Sequence, residues 1–157
     1  MILTQTPFRI SLIGGGSDLP SFYKNYGGAV ISFSIDKYIY ITLNNKFSKG
    51  YRVSYSETEN CQTLEQIKHD IVRESIRLSE IIDDLEITSI ADIPSGSGLG
   101  SSSSFAVGLL QGLYKYDNRN YSKQELADIA CEIEINILEK PIGKQDQYAA
   151  AFGGINL

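Results

Sequence analysis

Histidine and cysteine are scarce in this chain, basic residues are outnumbered, and no long apolar run occurs. Each shortage removes a class of function. The single histidine, His69, lies in a charged stretch and reads as an ordinary surface residue. A Ser-His-Asp site would have to use it, and no neighbouring residue supports one. Cys61 and Cys131 have no close-spaced partners. That excludes a disulfide framework or structural zinc site and favours buried, reduced thiols. Fourteen Lys and Arg against nineteen Asp and Glu leave a net charge of -5, the wrong sign for a protein that displaces counterions from nucleic acid. No stretch approaches the roughly 18 apolar residues of a membrane span. Met1 to Pro7 lack the charged-then-apolar pattern of a signal peptide. The expectation is a soluble, cytoplasmic protein with neither nucleic-acid nor membrane partners.

The residues that are present suit one folded domain. The chain has 157 residues, 42% hydrophobic and 21% charged, and a domain of that size buries roughly 70% of its unfolded surface. Ile2 to Thr6 and Ile10 to Ile13 read as two short strands around Pro7, broken by Gly14, Gly15 and Gly16. Pro20 opens a short helix, its φ preset for a first turn, and Gly27 and Gly28 close it. Ala29 to Ile35, Tyr38 to Leu43 and Gly50 to Tyr55 read as strands. Leu64, Ile67, Ile71, Leu78 and Ile82 fall near helical spacing. A strand at Leu85 to Ala91 leads into a glycine loop and an apolar helix ending at Tyr116. A second amphipathic helix covers Lys123 to Leu138, and Ile155 to Leu157 looks like a strand beginning. The pattern is α+β or α/β, with too sparse a parallel signal for a doubly wound sheet.

The most informative segment is Pro94-Ser95-Gly96-Ser97-Gly98-Leu99-Gly100, followed by Ser101 to Ser104. Alternate glycines remove Cβ atoms where backbone must approach something closely. A helix N-terminus behind them offers unpaired N–H groups and a partial positive charge, a natural seat for phosphate. An ordinary serine N-cap needs one serine, whereas four in succession cost helix propensity. Other nucleotide motifs fit worse. The one Gly-Lys pair, Gly143-Lys144, is followed by Gln145 rather than Ser or Thr. Gly100 comes two positions after Gly98, not the three of the dinucleotide fingerprint. Phosphoryl transfer also needs a carboxylate at the acceptor, a magnesium ion and positive charge. Glu134 reads equally as a boundary carboxylate on its helix, Asp146 as a helix N-cap, and Arg9 as a surface cation.

Pro94 to Ser102 matches the Pro-x-x-x-Gly-Leu-Gly-Ser-Ser signature of the GHMP kinases, and the chain resembles that family over residues 7 to 154. The resemblance implies ATP and Mg2+ as cofactors. The loop residues Pro94, Gly96, Ser97, Gly98, Leu99, Gly100, Ser101, Ser102 and Ser103 would wrap the phosphates. Ser102 and Glu134 would hold the metal, Asp146 would act on the acceptor hydroxyl, and Arg9 would support Asp146 and the transferring phosphate. The spacing of Glu134 and Asp146 is similar to that of the family's sugar kinases. Gly16, Ser17 and Asp18 sit where those kinases bind sugar, although the Glu and His common in that loop are absent. The Gly-Gly-Gly-Ser-Asp version resembles the branch that phosphorylates the anomeric hydroxyl of D-glycero-D-manno-heptose 7-phosphate, with fucose and galactose types as alternatives. A nucleotide-binding fragment without catalysis is the rival from another class. Lys144 occupies a variable position, and its charge suggests steering of a phosphorylated substrate. The implied fold is α+β: a two-layer N-terminal domain with a left-handed βαβ crossover, an exception to the usual hand. In the family a C-terminal ferredoxin-like domain, absent from this chain, completes the cleft. A surface meant for it, left open, favours self-association into a homodimer.

Overall fold

A computed structural model describes residues 1–81 and 84–157. Its strands are β1 (Ile2–Ile13), β2 (Ile31–Asn45), β3 (Tyr51–Ser54), β4 (Thr58–Cys61), β5 (Leu85–Ala91) and β6 (Ile155–Asn156). The helices are α1 (Pro20–Tyr26), α2 (Asp70–Ser79), α3 (Ser101–Tyr116), α4 (Lys123–Cys131) and α5 (Gln145–Phe152). One mixed sheet runs β1-β2-β5-β3-β4, with β6 added beside β2. Among the described residues the only parallel pair is β3 with β5, and the other pairs are antiparallel.

The sheet shows why the alternation in the sequence works. Along β2, Ile39, Ile41 and Leu43 are buried, and across the register Ile41 faces Thr4 on one side and Ser89 on the other. Leu43 pairs with Ile87 in the same way. These side chains point to one face, since successive strand residues alternate. Helices α3 and α5 cover that face and α2 packs beside α3, forming a two-layer domain with one core. Helix α3 lies at its centre. Leu109, Leu110 and Leu113 are fully buried, each contributing about 1.5–3 kcal/mol by removal from water. Gly108 lets α3 settle directly on the sheet: a Cβ there would stand 2.5 Å from Thr6 Oγ1. The Thr4 hydroxyl donates to the Gly108 carbonyl at 3.0 Å.

Several sequence expectations change in detail. The two runs before Gly14 are one strand, β1, with a register shift between Pro7 and Arg9. Pro7 is tolerated because β1 is a sheet edge. The runs expected from Ala29 and from Tyr38 are likewise one strand, β2, which begins at Ile31 and ends at Asn45, and β4 adds a hairpin partner that Thr58-Glu59-Asn60-Cys61 gave little apolar hint of. The helix expected from Leu64 is a 3₁₀ turn (Leu64–Gln66) and then α2. The buried face of α2 runs through Ile71, Val72, Ser75 and Ile76, leaving Leu78 exposed; Ile82 lies outside the described residues. The last long helix is α only to Cys131 and continues as a π-helix through Glu132–Ile137. Gln145–Phe152 forms α5, and the N-cap expected at Asp146 falls instead at Lys144. Both cysteines are buried and free.

Candidate active site

The first turn of α3 is where distant parts of the chain converge. The loop before it holds Gly96, Gly98 and Gly100 at φ of 79°, 76° and 80°, left-handed conformations that side chains disfavour. Gly100, not a serine, is the N-cap of α3, with no side-chain cap bond. The N–H groups of the first turn are thus left to whatever the loop encloses. The four serines divide their work. Ser101 and Ser102 face the loop, whereas Ser103 and Ser104 are buried. Ser104 Oγ donates to the Pro7 carbonyl at 2.9 Å, fastening α3 to β1.

Arg9 is the tie between β1 and the loop. Its backbone N–H donates to the Leu99 carbonyl at 3.2 Å, and its Nη1 donates to the Gly98 carbonyl at 2.9 Å. Nε and Nη2 both meet one oxygen of Asp146, Oδ1, at 2.7 and 2.6 Å. Arg9 is therefore a buried clamp rather than a surface cation. Asp146 stands in the first turn of α5, whose N-cap is Lys144. Among the described residues Asp146 Oδ2 accepts no hydrogen bond, and it faces the space beside Gly100. Burial raises the Asp146 pKa despite the attraction of Arg9, and the negative charges of Asp18 and Glu134 push it the same way. A carboxylate so placed holds a proton more readily than a surface aspartate.

Glu134 lies in the π-helix and is fully buried, not at a solvent boundary. Three donors satisfy it: Ser102 Oγ at 2.5 Å, Ser103 Oγ at 2.7 Å and Gln147 Nε2 at 2.7 Å. Single π turns are frequent at functional sites, and this one carries a buried carboxylate to the N-terminus of α3. Ser102 and Glu134 form a pair of hard oxygen donors, the set magnesium prefers. Among the described residues no group of three or more His, Cys, Asp or Glu could hold a metal. A magnesium ion here would therefore complete its shell with phosphate and water oxygens, its usual habit.

Two cavities flank this centre. One of about 610 Å³ is lined by Pro94, Ser95, Gly96, Ser101, Ser102 and, across from them, His69 and Lys140. His69 is no surface residue: it stacks on Phe105 at 4.8 Å and meets the edge of Tyr55 at 4.8 Å. Burial lowers its pKa, so it is neutral near pH 7. The Glu59 carboxylate fixes it in place, accepting from the N–H groups of Lys68 and His69 at 2.6 and 3.1 Å. The other cavity, of about 680 Å³, contains Ser17, Asp18, Tyr23, Lys144, Gln145 and Tyr148 in its wall. Asp18 is held by the N–H of Gly16 at 2.9 Å and the N–H of Gln145 at 3.2 Å.

The structure thus brings Arg9, Gly98, Ser102, Glu134 and Asp146 to one place, with Asp18 bound to the residue before Asp146. Reasoning from sequence missed Gln147, Gln145 and Gly143. A glutamine on each side of Asp146 was the available signal. One backs the metal-binding candidate Glu134 and the other holds Asp18, while Gly143 leaves room for the Asp18 carboxylate.

A glycine loop at a helix N-terminus, a clamped carboxylate and a second carboxylate beside a serine are the set of groups that phosphoryl transfer uses. The family follows from comparison: residues 62–154 match the model of the GHMP kinases N terminal domain, and the chain belongs to that family. It is 36% identical to D-glycero-alpha-D-manno-heptose 7-phosphate kinase of Campylobacter jejuni, over 99% of this chain and 49% of that protein. A galactokinase of Pyrococcus furiosus is 30% identical over 97% of this chain and 44% of its own length. The crystal structure of a D-glycero-D-manno-heptose 1-phosphate kinase from Bacteroides thetaiotaomicron superposes with a TM-score of 0.90 at 31% identity, covering 99% of this chain and 55% of that one. The chain spans about half the length of the curated relatives it matches. Among the described residues no helix is long and apolar enough to cross a membrane.

Proposed function

We propose that this chain is the ATP-binding domain of a two-domain sugar kinase that phosphorylates the anomeric hydroxyl of D-glycero-D-manno-heptose 7-phosphate. The observation that carries the proposal is the triple engagement of Arg9, which links the Gly98 carbonyl of the phosphate loop to Asp146. The similarity to a heptose 7-phosphate kinase supports the acceptor, as does Asp18 beside the site. A second domain of comparable length would close the acceptor side, and the exposed Leu12, Ile13 and Ile155 form apolar surface for it or for a second copy of the chain. The protein works in the cytoplasm, where ATP is available.

In this reading the loop from Pro94 to Ser103 and the α3 N-terminus hold the ATP phosphates. Ser102 and Glu134 would hold Mg2+, which supplies neutralisation of phosphate charge. The cavity beside His69 takes the nucleoside end. Asp18 orients the acceptor, and Asp146 Oδ2 accepts the proton of its anomeric hydroxyl as the oxygen bonds to the γ-phosphorus and the bond to ADP breaks. Arg9 keeps Asp146 in position and supplies positive charge beside the transferring group. The raised pKa of Asp146 suits a group that takes up a proton during the reaction.

The test is ATP consumption with heptose 7-phosphate, galactose and fucose as acceptors, for the wild type and Asp146→Asn. The heptose phosphate is expected to give the highest kcat/KM. The variant should lose about 10²–10⁴-fold in kcat, the range for a positioned acid or base, while still binding ATP. A wild type that binds ATP but turns over no sugar, or a variant at full rate, would falsify the proposal. Preference for galactose or fucose would replace only the acceptor.

A further inference from the structure

The cavity beside Asp18 contains two charged side chains, Asp18 and Lys144. Asp18 is already engaged: Oδ1 accepts from Gly16 and Gln145, and Oδ2 from the Gln145 backbone. Lys144 is exposed and, among the described residues, makes no ion pair. Its ammonium stands 5.0 Å from the centre of the Tyr23 ring, an attraction worth about 0.5–1 kcal/mol at an exposed site. The Asp128 carboxylate behind the opposite wall feels the charge of Lys144 but makes no ion pair with it, being held by Tyr148 and Gln124. Tyr148 keeps its proton, its pKa pushed up to about 12 by burial, and it donates that proton to Asp128 at 2.5 Å. Gln124 joins the same pair, donating to Tyr148 Oη at 2.8 Å.

An ammonium in that wall can donate to a neutral sugar hydroxyl, but it bonds an anionic group more strongly through charge-assisted contacts. Lys144 precedes Asp146 by two residues, so α5 presents the cation and the hydroxyl-binding carboxylate from the same turn. Resting on the sugar-kinase reading above, we propose that Lys144 is the specificity-determining residue of the acceptor cavity. It selects sugars bearing a phosphate remote from the reacting hydroxyl. Tyr23 holds the ammonium over the cavity when no phosphate is there, and the phosphate takes it over through charge-assisted hydrogen bonds.

The test compares D-glycero-D-manno-heptose with its 7-phosphate, two acceptors that differ only in that group, by calorimetric binding and by turnover. Proteins are the wild type, Lys144→Met and Lys144→Arg. Lys144→Met is expected to weaken binding of the phosphorylated sugar by about 10- to 100-fold, the order of one hydrogen bond to a charged group. Binding of the unphosphorylated sugar and of ATP should stay unchanged, and Lys144→Arg should retain most of the preference. Equal loss on both sugars, no loss, an effect on ATP instead, or a wild type without preference for the phosphorylated sugar each overturns the assignment. The two readouts keep the ideas separate. Lys144-dependent binding without ATP consumption sinks the kinase reading and leaves the cation site. Turnover indifferent to the 7-phosphate does the reverse.

Discussion

Two glycine-rich loops each carry the chain from a strand into a helix, and they are anchored in opposite ways. The loop of Gly14 to Gly16 leads into α1, a helix of seven residues with none buried. Its fastenings are a few polar contacts: Ser17 Oγ donates to the carbonyls of Gly14 and Ala29 at 2.7 and 3.0 Å, and Asp18 reaches Gln145. The loop of Pro94 to Gly100 leads into α3, which buries ten residues. Arg9 grips it from the far end of the sequence, and Ser104 fastens the helix to Pro7. The difference matches what each loop has to do. On the proposed function the second loop holds a phosphoryl group, which must be placed to a fraction of an ångström, and that loop is the one built into the core. An acceptor loop resting on an exposed helix can change shape or residue without disturbing that core.

The same substitution in each loop tests this contrast, and Gly100→Ala has the largest expected effect. A Cβ at Gly100 would stand 3.2 Å from Asp146 Oδ2 and 3.5 Å from Arg9 Cγ. The residue is also left-handed, so strain and a shifted carboxylate coincide. A shift of a few tenths of an ångström at that carboxylate, added to the strain, is expected to cost about 10- to 100-fold in kcat, short of the cost of a full ångström. Gly16 has φ of 95° as well, but a Cβ there meets nothing within 4 Å. Gly16→Ala should cost about 1–2 kcal/mol of stability through strain and leave kcat within about threefold, since its Cβ touches no site residue. Steady-state kinetics and thermal melts on both variants decide it; similar kinetic losses would erase the distinction between the loops.

The phosphate loop was legible in the sequence because its evidence is local: three alternate glycines and a serine run, all within eleven residues. The sheet was legible where apolar residues alternate, as in β2 and β5. What escaped depends on contacts between distant segments. Thr58 to Cys61 become a strand because the turn folds them back on β3, not because of their own propensity. Glu134 sits beside the apolar face of its helix in sequence, but the π turn and the buried Gln147 convert it from a boundary residue into a fully buried one. His69 looked exposed among charged neighbours, yet Tyr55 and Phe105, fourteen residues before it and thirty-six after, enclose its ring. Arg9 and Asp146 could be named from sequence, but which oxygen of Asp146 the arginine takes could not.

The weaker anchoring of the first loop predicts a middle-sized effect at a position outside it. A Cβ on Gly143 would fall 1.8 Å from Asp18 Oδ2 and 2.3 Å from its Cγ, so Gly143→Ala must push the Asp18 carboxylate aside. Little but polar contact holds that side chain, so it yields rather than the backbone. The expected outcome is about a tenfold rise in acceptor KM, the equivalent of one hydrogen bond to a charged group, with KM for ATP unchanged. A fall in kcat with no change in acceptor KM would show that Asp18 belongs to the rigid half of the site after all.

The smallest effect concerns acid, and it separates the two cavities because only the one proposed for the nucleotide encloses the histidine. Burial holds the His69 pKa below its ordinary value of about 6.5. Asp70 and Glu59 draw it upward and Lys140 pushes it further down, and burial dominates. The folded protein therefore binds fewer protons than the unfolded chain between the lowered value and about 6.5. Stability is fully present above that range and declines as pH falls through it. Melting temperatures of the wild type and His69→Gln between pH 7.5 and 5.5 should diverge, the wild type losing stability relative to the variant as pH drops. Asp146 and the other carboxylates titrate in both proteins, so the difference between them isolates the imidazole. Parallel curves would mean that His69 takes up its proton without leaving the Tyr55–Phe105 slot, and that the nucleotide cavity has more freedom than the anchoring of α3 implies.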